Sequence, residues 1–198
     1  MKNRTNNPIW IILPIVLFFL FSCATTEQKQ SQSRNPKFYN NRGIAYGEKG
    51  QYDQALSDFN KAIEINPRYV KAYNNRGIVY RLKGQYDQAI SDFNKAIEIN
   101  PRDAQTYNNL AWLLATAKEP HIRNGKKAVE LALRACELSE WKNPGYLDTL
   151  AASYARVGNF VSATKWQEKA LQIFEEGKKA EAQKRLNLYR ERKPWPLD

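Results

Sequence analysis

The sequence predicts an all-α fold, a stack of helical hairpins closed by a C-terminal capping helix. Three observations carry that expectation. The stretch "GQYDQALSDFNKAIEINPR" at residues 50–68 returns at residues 84–102, 34 positions on, with only Leu56 changed to Ile90. A fixed period of that size is the signature of hairpins too small to bury their own apolar faces, which therefore stack. Within each period the apolar residues follow helical spacing. The last segment, 178–192, carries Ala182, Leu186 and Tyr189 on one stripe and mostly charged or amide residues elsewhere.

Taken from the N-terminus, the first 22 residues stand apart from that domain. Lys2 and Arg4 precede a run, residues 9–21, with no polar side chain. The run is shorter than the roughly 20 residues that cross a bilayer core, and it matches the apolar part of a secretory signal peptide. It ends in Leu20-Phe21-Ser22-Cys23. A leucine three before a cysteine, with a small residue between, resembles the lipobox of bacterial lipoproteins, although Phe21 is bulky for its second position. The resemblance implies cleavage before Cys23 and lipid on that residue. An uncleaved N-terminal anchor, with Cys23 incidental, is the alternative. Either places the rest of the chain outside the cytoplasm and on a membrane. With the lipid, the expected location is the cell envelope, on the periplasmic face of the outer membrane. Residues 24–35, "ATTEQKQSQSRN", have nothing large and apolar to bury and read as a tether of roughly 20 Å.

The hairpins follow. In the first period Tyr39, Gly43 and Tyr46 share one helical face, and Gly50 stops the helix. Asp53 opens a second helix, whose buried face is Ala55, Phe59, Ala62 and Ile63. Pro67 ends it by disfavouring helical backbone at Asn66. The second period repeats each element at Tyr73, Gly77, Tyr80, Gly84, Asp87, Ala89, Phe93, Ala96 and Pro101. A glycine inside a helix costs about 1 kcal/mol relative to alanine, so Gly43 and Gly77 at one phase predict a close approach by a neighbouring helix.

These periods resemble tetratricopeptide (TPR) repeats, with Arg42 and Arg76 in a slot that is usually apolar. Two further periods match with departures. The third has Tyr107, Leu110, Ala111, Leu114, Ala128, Ala132 and Ala135, with five extra residues in its inter-helix loop, within 116–125. The fourth has Leu147, Leu150, Ala151, Tyr154, Gly158, Ala163 and Ala170, with Gln167 in place of the aromatic. The expected organisation is a signal peptide (1–22), a lipidated cysteine and tether (23–35), four repeats (36–69, 70–103, 104–143, 144–176), and a capping helix with tail (177–198). The resemblance implies a right-handed TPR superhelix. The final helix suits a cap, which needs an apolar side and a polar back. Its seven Lys/Arg against two Glu over residues 178–193 also suit a basic binding helix.

Residues that could do chemistry are sparse. His121 is the single histidine, in the long loop, and Cys136 falls in an apolar helical pattern. No phosphate loop or metal-ligand spacing occurs, and the carboxylates read as solvated helix faces. No enzyme activity and no cofactor is expected. With two cysteines there is no disulfide framework.

Binding remains. The resemblance implies that the first helices line a concave groove for a protein or peptide. Its candidate residues are Asn40, Asn41, Lys71, Asn74, Asn75, Ile78, Arg81, Gln105, Asn108, Asn109, Trp112, Asp148 and Arg156, with Lys37 and Thr149 beside them. Three Asn-Asn pairs at one phase form an amide ladder suited to a peptide backbone, unless the second amide of each pair bonds within the stack. Trp112 sits four residues beyond Asn108 and suits an anchor, or else packs on the inserted loop. Chaperone-binding TPRs carry a carboxylate clamp; only Asn75 matches it, and Asn40, Ile44, Gln105 and Asn109 fail it. The chain thus reads as a membrane-tethered TPR scaffold for a protein or peptide in the envelope. Lipoproteins of this build resemble pilotins and accessory subunits of envelope assembly machines. The net charge of +11 keeps a second reading open, a basic module for an anionic polymer or membrane surface. Nucleic acid is not expected, because the leader exports the chain.

Overall fold

The computed structural model describes residues 35–195. The expected signal peptide, Cys23, most of the expected tether and residues 196–198 lie outside the described residues. The described residues form nine α-helices, one short 3-10 turn and no strand. The helices are α1 Pro36–Glu48, α2 Tyr52–Ile65, α3 Val70–Leu82, α4 Tyr86–Ile99, α5 Ala104–Thr116, α6 Gly125–Leu138, α7 Pro144–Arg156, α8 Phe160–Ile173 and α9 Glu176–Arg190. They pair as four antiparallel hairpins, α1/α2, α3/α4, α5/α6 and α7/α8. The first helices touch one another in succession, α1 to α3, α3 to α5 and α5 to α7, which makes them one continuous wall.

Local chemistry sets the ends. Asn35 accepts from the Lys37 amide at 2.9 Å, and Asn143 accepts from the Gly145 amide at 2.9 Å, each capping a helix with proline at its start. Gly50, Gly84 and Gly158 take φ of 72°, 73° and 79°, the left-handed conformation that glycine adopts without a steric cost. The amide after each then reaches back to a tyrosine carbonyl, as from Gln51 to Tyr46 at 2.9 Å. The α6–α7 connection makes the same reversal without glycine, through Glu140 and Trp141 at φ of 52° and 60°. That turn lays Trp141 flat on Trp166, with ring centroids 4.9 Å apart.

The expected close approach at the repeat glycines lies inside each hairpin. A Cβ on Gly43 would meet the Phe59 ring at 2.7 Å, and one on Gly77 would meet the Phe93 ring at 2.8 Å. Alanines at 55, 62, 89, 96, 128, 132, 135, 163 and 170 are fully buried and let the second helices pack tightly. The inserted loop of the third hairpin folds over a 3-10 turn, Pro120–Ile122, and is tied down by Arg123, whose Nε donates to the Ala117 carbonyl at 2.6 Å. α9 lies on α8 and buries Ala182, Leu186 and Tyr189, so it caps the stack.

One sequence expectation needs correction. Two carboxylates read as solvated are buried, Asp58 and Asp92 at 5% exposure, as is the groove candidate Asp148 at 6%. Asp58 accepts two hydrogen bonds from Arg42, at 2.7 and 2.6 Å, and Asp92 accepts two from Arg76, both at 2.7 Å. The arginines in the unusual slot before each glycine thus answer an aspartate 16 residues on. These bidentate pairs raise the arginine pKa values, with the hydrogen bond to the aspartate as the largest cause.

Candidate functional site: the wall of first helices

The amide ladder exists as a spine inside the stack. Asn75 Nδ2 donates to Asn40 Oδ1 at 3.0 Å, and Asn109 Nδ2 donates to Asn74 Oδ1 at 2.9 Å. Each second amide thus bonds to the first amide of the preceding repeat. Thr106 Oγ1 adds a bond to Asn74 at 3.3 Å. Asn40 and Asn74 are 2% and 4% exposed, so neither is presented to a ligand, which corrects their assignment to the groove surface. Asn75, Asn108 and Asn109 are half-buried and Asn41 is exposed. The Asn108 side-chain oxygen is buried without a hydrogen-bond partner.

The C-terminal end of the wall is consumed by the cap. Asp148 accepts from Gln167 at 2.7 Å and from Arg185 of α9 at 2.9 Å. Gln167, in the slot where an aromatic was expected, is buried and also donates to the Ala182 carbonyl at 3.0 Å. Arg156 donates to the carbonyls of Ala115, at 2.9 Å, and Trp195, at 3.3 Å. Thr149 is buried and back-bonds to the Gly145 carbonyl at 3.1 Å. Asp148 and Arg156 therefore hold the cap and tail in place, and Thr149 is spent within its own helix, which corrects their expected part in an open groove. Arg185 lies over both Trp112 and Trp195, 5.9 Å from each ring centre.

Two clefts remain on the wall, side by side across Leu82. The first, of about 300 Å³, is mainly apolar and runs between α1 and α3, lined by Ile44, Gly47, Asn75, Ile78 and Leu82 among others. The second, of about 600 Å³, lies between α3, α5, the inserted loop and the tail; Arg81, Tyr86, Trp112, Glu119 and Trp195 line it. Ile78 and Asn75 thus belong to one cleft, and Arg81 and Trp112 to the other. Lys37, Lys71 and Gln105 are exposed and line neither. Trp112 touches both of its expected settings, since the inserted loop forms one side of its cleft. Sequence reasoning missed Arg185, Glu119 and Trp195, which reach the wall only through the return of α9 and the fold of the loop.

The chemistry offered is recognition. Among the described residues no group of three His, Cys, Asp or Glu comes together as a metal site. Cys136 is buried, and burial pushes its thiol up to about 12. Arg81 has its pKa lowered by burial, with no carboxylate to offset it.

Stacked hairpins with a continuous inner wall and clefts of side-chain size define a solenoid built for recognition. The chain belongs to the tetratricopeptide repeat family: family models of that repeat match residues 36–69, 70–103, 93–128 and 145–176. No curated protein matches the chain in sequence. Among solved structures, PilF of Pseudomonas aeruginosa superposes with a TM-score of 0.70 at 20% identity, covering 82% of this chain and 71% of its own. MamA gives 0.61 at 22% identity, with 79% and 81% covered. MamA from Desulfovibrio magneticus RS-1 gives 0.59 at 22% identity, with 71% and 76% covered. These likenesses establish the TPR superhelix.

Proposed function

We propose that this protein is a membrane-tethered TPR scaffold that holds an extended segment of a partner protein in the bacterial cell envelope. The observation that carries the reading is the pair of adjoining clefts on the wall of first helices. One is apolar, the other aromatic and basic, and Leu82 is shared between them. Extended peptides are recognised by such rows of pockets, one side chain to each. The tether rests on the lipobox-like Leu20–Cys23 stretch, and the proposed place is the periplasmic face of the outer membrane.

The test is capture from detergent-solubilised envelope with the full chain as bait, at rising salt. Trp112→Ala should keep its helicity and weaken capture by about 2 kcal/mol or more. Capture that survives salt supports a groove. Capture that falls steeply with salt and is indifferent to Trp112 points to the second reading, an anionic polymer or membrane surface held by the net charge of +11.

A further inference from the structure

Arg81 is the exception among the buried cations of this fold. Four other arginines are half-buried among the described residues, and each is held. Arg76 pairs with Asp92 and Arg185 with Asp148, while Arg123 and Arg156 donate to backbone carbonyls. Among the described residues Arg81, at the end of α3, has no hydrogen bond or ion pair, and it lines the 600 Å³ cleft. Withdrawing a guanidinium from water without a counter-charge is unfavourable, which is why the others are paired. Burial lowers its pKa, as expected for a cation withdrawn from water.

The same cleft holds a second unmet group. Glu119 Oε2 is buried with no hydrogen-bond partner. Trp112, Tyr86 and Trp195 line the same cleft with apolar and aromatic surface. Lys83, also on the rim, is engaged by Asp53, and Lys118 is exposed. The cleft therefore offers one half-buried open guanidinium, the exposed Lys118 at its rim, one open acceptor and an aromatic wall.

Resting on the groove reading above, we infer that this cleft recognises an acidic side chain of an extended peptide. Its carboxylate would accept hydrogen bonds from Arg81, a neighbouring peptide N–H would donate to Glu119, and an apolar residue beside it would lie on Trp112. A polyanion fits less well, since a dense row of phosphates or sulfates would meet the Glu119 carboxylate alongside a single unengaged guanidinium. Nor is this the carboxylate clamp of chaperone-binding TPRs, whose positions fall elsewhere in the repeat.

The experiment is selection from a random peptide phage library against the full chain in detergent micelles, in parallel with Arg81→Gln. Wild type should enrich Asp or Glu at one fixed position next to an apolar residue. A synthetic peptide of the enriched sequence should bind Arg81→Gln, and its own Asn or Gln analogue should bind wild type, about tenfold more weakly or worse. Arg81→Gln should melt at the wild-type temperature, because Arg81 bonds to nothing in the stack; a lowered melting point would make it structural and overturn the proposal. Enriched peptides without an acidic position, or equal binding to Arg81→Gln, would remove the carboxylate site and leave the groove standing. Recovery of no peptide would sink the groove reading and this one together. Displacement of the enriched peptide by inorganic polyphosphate, with polyphosphate itself bound tightly by Arg81→Gln, would favour the polyanion instead.

Discussion

Gly43 and Gly77 lack side chains because the Phe59 and Phe93 rings fill that space. Gly77→Leu forces the ring out of a packed hairpin and should cost about 1–3 kcal/mol, read as a lower thermal midpoint. An unchanged midpoint would mean the hairpin is looser than its 2.8 Å approach implies. The two Arg–Asp pairs allow a sharper comparison, since they repeat one geometry at different depths. Arg76 is 19% exposed and is also held by Asn60 at 2.6 Å, whereas Arg42 is 46% exposed. Asp92→Ala strands a largely buried guanidinium and should cost roughly 3 kcal/mol. Asp58→Ala leaves Arg42 able to regain water and should cost clearly less. Urea titrations of the two variants give the order, and equal losses would mean that burial does not set the cost.

At the scale of elements, each hairpin is stabilised by its neighbours, so the open ends are the weak points. α9 closes one end with Ala182, Leu186 and Tyr189 and bonds its Arg185 to Asp148 across the fold. Leu186→Asp places a charge on the buried side of that helix and should detach it. Hydrogen exchange should then speed up in α8 and α9 while α1 to α4 stay protected. Loss of protection through all nine helices would make the cap part of one cooperative unit. The helix pattern and the glycine stops were legible because they depend on near neighbours. The cap's stripe was legible for the same reason. Its return over Trp112 was not, because that contact joins Arg185 to a residue on a distant helix and leaves no periodic trace.

At the scale of the whole molecule, the proposed function assigns recognition to the described residues and place to the leader. No helix of the described residues is long and apolar enough to cross a membrane. Membrane attachment therefore depends, in the proposed function, on residues 1–23. Cys23→Ser should leave precursor or soluble protein after cell fractionation. Wild-type partition of that variant would assign the anchor to something other than lipid on Cys23.

The sequence by itself determined the repeat, its glycine stops and the family, because a 34-residue period and its local stops are written in residues close along the chain. It also named Ile78, Arg81 and Trp112 as wall residues, through helical phase read together with the resemblance to the repeat family. What only the tertiary structure decided is which polar groups are already spent. Asn40 and Asn74 are taken by the next repeat, and Asp148 and Arg156 by the cap and tail. Arg81 is left open. The reason is physical: phase fixes the direction in which a side chain leaves its helix, but a donor or acceptor is free or engaged according to what the rest of the chain brings within about 3 Å of it.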